Sequence, residues 1–235
     1  MGGIKKRSFQ LFCLNFLIFL RAQDLSLSFD NFKKILPENP IIVEAGAFRG
    51  AETLVLSSVW PEGMIFSFEP LSSSYNSLVD NIVAKRNVFT FPLALSNKTG
   101  ENIFYEIVSD KSLSSLFPLN GISDIQKIRR VSVSVTTLDS WCWHNSMERI
   151  DLLWLDMDGA ELNALKGARK ILKTTSFIYT EVHLKSFWHG APLFPDLRRW
   201  LKDQGFHVVW IKFERGDHGK ALFAKNEFLT LPFTV

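Results

Sequence analysis

Five acidic side chains and one histidine stand where apolar runs end, and they are the groups in this sequence best placed to do chemistry. Glu44 opens VEAGAFRGAET (43–53), in which Gly46 and Gly50 permit a tight turn and close approach of another backbone. A carboxylate at such a turn repels a pyrophosphate, and the full G-x-G-x-x-G pattern is absent, so a dinucleotide is disfavoured. The same carboxylate attracts an ammonium or sulfonium group. Glu69 closes the next apolar run, IFSFE (65–69). An acidic side chain about 20 residues beyond the glycine turn can accept bonds from both hydroxyls of a ribose. Further along, Trp154, Asp156 and Asp158 recur at spacing two, as do Glu181 and His183, so each set shares one face of an extended segment. Asp158 and Glu161 also suit the start of a helix, as a cap and its capping-box partner. Asp156 has no such alternative and is the strongest functional acid of the three. Histidine is the side chain best tuned to accept a proton near neutrality. Carboxylates alone at this spacing are a weak metal signal, and no metal site is assigned.

Positioning these groups requires a sheet. IIVEA (41–45), IFSFE (65–69), VFTFPLAL (88–95), DLLWLD (151–156) and FIYTEV (177–182) are short, apolar and rich in β-branched or aromatic residues, as strands buried on both faces are. Amphipathic stretches at 51–59, 72–86, 160–172 and 194–204 alternate with them. That alternation predicts an α/β fold, a Rossmann-like, mostly parallel sheet with helices on both faces. HVVWIKF (207–213) and ALFAKNEF (221–228) flank a polar loop and read as an antiparallel C-terminal hairpin at the sheet edge. The piece 101–137 breaks the alternation with two strand-like runs and is predicted to be a β-rich insertion. Ligands of such sheets bind outside the carboxyl ends of the strands, where Glu44 and Glu69 fall. A nucleoside with a cationic amino-acid tail would meet both carboxylates, and S-adenosylmethionine is such a molecule.

VEAGAFRG, FSFEP, LALSNKTG, TTLDSW and LLWLDMDGAELNALKGA, in that order between Val43 and Glu181, resemble the FkbM-type methyltransferases. The resemblance implies a class I, S-adenosylmethionine-dependent enzyme, with seven strands and an antiparallel last one, that most often methylates hydroxyl oxygens. It implies that Glu44, Gly46 and Gly50 line the methionine part of the cofactor, that Glu69 holds the ribose, and that Ala94 and Leu95 lie near the adenine. Methyl transfer from a sulfonium is an in-line displacement, and a hydroxyl acceptor must also lose a proton. His183 or Asp156 is the expected base, with Asp158 beside them and Glu181 and Trp154 facing the acceptor. The chain departs from the family's K-x-D-x-E-G pattern, with Trp154 for the lysine and Asp158 for the glutamate. Both changes bear on the acceptor or on activity itself.

Composition sets outer limits. The chain has 235 residues, 46% hydrophobic and 22% charged, which excludes a disordered or fibrous protein. A net charge of +3 with no basic stripe beyond the N-terminus argues against a nucleic-acid partner and leaves a small-molecule or glycan acceptor. Cys13 and Cys142, the two cysteines, offer neither a disulfide framework nor a thiolate metal site. Residues 1–23 stand apart: Lys5, Lys6 and Arg7 precede an apolar run from Leu11 to Leu20. That run reads either as a signal peptide or as an interfacial segment touching a membrane surface, and it is too short to span a bilayer. One domain is expected over 24–235. The two N-terminal readings pull apart: an exported chain would favour a non-catalytic binding module, whereas a cytoplasmic one, membrane-associated or not, has access to S-adenosylmethionine.

Overall fold

The computed structural model describes residues 28–121, 127–214 and 216–229. The N-terminal segment 1–23 lies outside those residues. Among the described residues ten strands form two sheets. The large sheet contains β1 (Ile41–Ala45), β2 (Met64–Phe68), β3 (Val88–Phe91), β7 (Ile150–Leu155), β8 (Thr175–His183), β9 (Phe206–Glu214) and β10 (His218–Lys225). Their order is β3-β2-β1-β7-β8-β10-β9, with β10 antiparallel to both neighbours and the other neighbouring pairs parallel. This is the expected seven-stranded sheet. The hairpin differs in one respect: β10 slots between β8 and β9, so its second strand is interior and its first is the edge.

Among the described residues six α-helices cover the sheet. On one face α1 (Phe29–Ile35), α2 (Ala51–Val59) and α3 (Ser72–Ile82) pack through Phe32, Leu56 and Leu78 on Ile42, Leu152, Phe177 and Leu222. On the other, α4 (Leu138–His144), α5 (Glu161–Lys166) and α6 (Phe194–Asp203) pack through Trp141, Leu165 and Leu201 on Val43, Leu153, Ile178 and Phe223. Successive residues of β1, β7 and β8 thus serve opposite layers, which explains why these runs are apolar throughout.

Three departures from the periodicity have local causes. VFTFPLAL is two strands rather than one, because Pro92 lacks the N–H that would continue the ladder. β3 ends at Phe91, and β4 (Ala94–Leu95) joins a second sheet of order β4-β6-β5, with β5 (Gly100–Ile107) and β6 (Ile128–Thr136). The β-rich insertion is therefore this small sheet. The predicted helix 160–172 stops at Lys166, since a Cβ on Gly167 would stand 2.1 Å from the Ser96 carbonyl oxygen. A 3₁₀ turn, Ile171–Thr174, follows, and the Asp139 carboxylate accepts the Lys170 and Ile171 N–H groups at 3.0 and 2.9 Å. Asp139 lies in α4, which periodicity alone did not reveal and which the Thr137 hydroxyl caps by accepting from the Ser140 N–H at 3.1 Å. The TTLD run is thus an anchor for the segment leading into β8.

Because β10 is interior, its core side chains are enclosed on both flanks. Phe223 is fully buried, and Phe223→Ala is expected to destabilise the fold by about 3–5 kcal/mol. Thermal unfolding followed by circular dichroism should show a midpoint lower by on the order of 10 °C.

Candidate active site

The site forms where the loops after β1, β2 and β7 meet. Gly46 adopts φ +86°, and a Cβ there would lie 1.8 Å from the Asp156 carbonyl oxygen. The Asp156 N–H in turn donates to the Ala45 carbonyl at 3.0 Å. Gly46 and Ala47 both donate to the Phe68 carbonyl at 3.0 Å. The next residue, Phe48, is held at φ 50°, a strained setting for a bulky side chain. Its N–H donates to Glu69 Oε2 at 3.0 Å, and the Leu71 N–H donates to Oε1 at 2.8 Å. Glu69 therefore ties two loops together while lining an open cavity.

Gly46, Glu69, Ala94, Leu95, Asp156 and Asp158 all line this cavity, as do Phe68 and Met157. Its far wall comes from the insertion: Phe104, Lys111, Ser112, Ser114 and Leu116. The insertion was expected from the sequence over one end of the sheet, but which of its side chains reach the cavity was not. The insertion is pinned there by the Ser115 hydroxyl, which donates to the Asp158 carbonyl at 2.7 Å, and by Lys111, whose Nζ donates to the Ser73 hydroxyl at 2.8 Å and pairs with buried Glu106 at 3.2 Å.

Glu44 and Gly50 are placed behind the cavity rather than in its lining. The Thr53 and Ser67 hydroxyls each donate to Glu44 Oε2 at 2.6 Å. Gly50, at φ +85°, precedes α2 and fits against Leu78, whose Cδ1 would lie 2.6 Å from a Cβ. Burial pushes the carboxyls of both Glu44 and Glu69 up to about 7, against the pull of their hydrogen bonds.

The second cluster lies along β7, β8 and β10. Asp156 borders the cavity and also an open groove formed with Phe29, Phe32, Glu52, Trp154, Tyr179 and Lys220. Lys220 Nζ donates to Asp156 Oδ2 at 2.6 Å, a partner supplied by a strand distant in sequence and not foreseen. Trp154 is buried, stacked on Phe29 with centroids 6.1 Å apart and tilted at 50° against Tyr179 at 4.3 Å. Asp158 has φ 54°. Burial raises its carboxyl well above the usual range, and the charges of Glu181, Asp156 and Glu161 add to the effect. Burial likewise raises Glu161 to about 8, although its Oε1 accepts from the Met157 N–H at 2.8 Å. Glu161 is thus a buried brace for the β7 turn.

Glu181 and His183 border a smaller cavity with Gly159 and Glu161, apart from the large one. In the β10 register His218 faces His183 and Lys220 faces Glu181. Burial would raise the Glu181 carboxyl, but His183, His218 and Lys220 outweigh it and hold the group below its ordinary range.

The sequence matches the family described as methyltransferase FkbM domain over residues 44–208. The chain belongs to the FkbM methyltransferase family. The 2-O-methyltransferase NoeI of Sinorhizobium fredii is 29% identical over 80% of this chain and 81% of that protein. The hexuronic acid methyltransferase AglP of Haloferax volcanii is 22% identical over 69% of this chain and 65% of its own length. Among solved structures, the FkbM methyltransferase of Methylobacillus flagellatus aligns with a TM-score of 0.53 at 14% identity, over 80% of this chain and 44% of that one. That likeness establishes the fold. As an FkbM enzyme the chain is an S-adenosylmethionine-dependent methyltransferase. The cavity suits such a ligand: Glu69 lines it beside apolar Ala94, Leu95 and Phe104.

The raised carboxyls make the fold pH-sensitive in a definite direction. Between about 4.5 and 7 the folded state keeps protons on Glu44 and Glu69 that the unfolded chain releases. Their contribution is therefore full at low pH and is lost as pH rises through 7. Ligand-free protein should unfold at higher temperature at pH 5 than at pH 8 by this effect. Glu44→Gln, which keeps an acceptor for Thr53 and Ser67, should reduce the difference by about 3 kcal/mol or less, measured by calorimetry across that range.

Proposed function

We propose that this enzyme methylates a hydroxyl oxygen on a sugar or related small molecule, with Asp156 as the base. One observation carries the reading: Asp156 borders both the cofactor cavity and the groove lined by Trp154, Tyr179 and Lys220. A sulfonium methyl held in the cavity and a hydroxyl entering by the groove would meet at this carboxylate. Aromatic faces next to charged groups suit a polyhydroxylated acceptor. NoeI and AglP, by their names a 2-O-methyltransferase and a hexuronic acid methyltransferase, support the acceptor class.

In this scheme Glu69 accepts the ribose hydroxyls, Ala94 and Leu95 flank the adenine, and Gly46 lets the backbone approach the methionine part. Glu44 and Gly50 hold that turn from behind. The acceptor's O–H proton passes to Asp156 as its oxygen bonds to the methyl carbon. The bound sulfonium would supply the methyl group, the electron pair of its carbon–sulfur bond remaining on sulfur. Burial raises the Asp156 carboxyl while Lys220 opposes that shift, which moves the base toward the working pH. Asp158 lines the same cavity and orients the acceptor. S-Adenosylmethionine is made in the cytosol, and we place the enzyme's work there. Among the described residues no helix is long and apolar enough to cross a membrane.

S-Adenosylhomocysteine at a hundredfold excess over its dissociation constant should add about 2.7 kcal/mol, a rise of about 5–10 °C in the unfolding midpoint. Glu69→Ala should abolish that rise. Asp156→Asn should keep it while lowering kcat by about a hundredfold or more in transfer of labelled methyl to hexuronates and oligosaccharides. Well-folded protein that shows no rise at millimolar ligand would defeat the cofactor assignment, and full activity of Asp156→Asn would defeat the choice of base.

A further inference from the structure

His183 is 5% exposed, and neither Nδ1 nor Nε2 has a hydrogen-bond partner among the described residues. A neutral imidazole carries one donor and one acceptor, so a buried ring with both unmet calls for an explanation. The scheme above gives it no task. Its neighbours form a ligand set. Glu181 lies two residues earlier on the same face of β8, and His218 sits directly opposite in the antiparallel register. The two imidazoles stack with centroids 5.3 Å apart at 23°. One donor atom from each of Glu181, His183 and His218 falls within 4.8 Å of the others. His183 Nε2 lies 3.2 Å from Glu181 Oε2 without the alignment of a hydrogen bond, and that oxygen is likewise buried and unpartnered. His218 Nε2 touches the other oxygen, Oε1.

We propose that Glu181, His183 and His218 hold a divalent transition-class cation such as zinc or iron(II). Ligands about 2.0–2.2 Å from an ion stand about 3.0–3.5 Å from one another, and small side-chain rotations bring these three into that range. Two imidazoles and one carboxylate select this class over magnesium or calcium, which prefer oxygen alone. Three protein ligands also leave a coordination position free for water or a substrate oxygen. The one cation facing Glu181 from β10 is Lys220, and it is paired with Asp156 at 2.6 Å. Were that free position to open toward Asp156, the ion would acidify the acceptor hydroxyl. That role rests on the function proposed above, whereas occupancy of the site does not.

The full chain, purified without a metal-affinity tag, would be equilibrated with Co²⁺, freed of excess ion by gel filtration, and assayed by elemental analysis and visible absorption. One equivalent of Co²⁺ with the absorption of a nitrogen-ligated ion is expected. His183→Ala and His218→Ala should lose both signals yet keep stabilisation by S-adenosylhomocysteine. Wild-type protein that retains no Co²⁺, or a double variant that retains it fully, overturns the site. Should the variants fail to fold, the wild-type spectrum decides, and the absence of histidine-to-cobalt ligation overturns the proposal. Failure of S-adenosylhomocysteine to stabilise the wild type would count against the methyltransferase scheme and not against the metal.

Discussion

Two backbones approach so closely at Gly46 that no side chain fits between them, and the arrangement of the site follows from that contact. The turn after β1 presses on the carbonyl of Asp156, just past β7, while the Asp156 N–H reaches back to Ala45. This locks the ends of two adjacent parallel strands in register. Phe48 is then driven into a left-handed conformation, where its N–H meets Glu69. Glu69 draws in the loop after β2 through Leu71. A cavity floor is thus made from main chain and one carboxylate, with little dependence on flexible side chains.

Charge is distributed unevenly around that floor. Glu44, Glu69 and Glu161 are buried among hydroxyl and backbone donors, and loss of solvent raises all three. Such groups stabilise loops best when protonated and become a mild liability above neutrality. Glu181 behaves oppositely because two imidazoles and a lysine face it. One short stretch of strand ends therefore presents both protonated and ionised carboxyls, set apart by their neighbours rather than by residue type.

The insertion illustrates how function is added to a shared sheet. Pro92 ends β3, which releases Ala94 and Leu95 to begin a second sheet beside the cavity. Lys111, Ser112 and Leu116 then wall in the cavity, and the Leu119–Trp188 bridge links the insertion to the loop after β8. Acceptor choice in this fold is made by such loops.

What the sequence determined by itself was the alternation of strands and helices, the antiparallel end, and the acids that stand at strand ends. Those features are local: apolar runs, glycine turns and spacing of two are printed along the chain, and the order of the motifs carried the family. The positions of Gly46, Glu69, Ala94, Leu95, Asp156 and Asp158 at turns and strand ends were legible for that reason, and the fold lines one cavity with them. Tertiary structure alone decided that Glu44 and Gly50 support the turn from behind, that Trp154 packs under α1, and that Glu161 braces the β7 turn. It also decided that Lys220 and His218 meet Asp156, Glu181 and His183. Those meetings depend on β10 entering the sheet antiparallel beside β8 with one particular register, and a register between strands dozens of residues apart leaves no local mark in either of them.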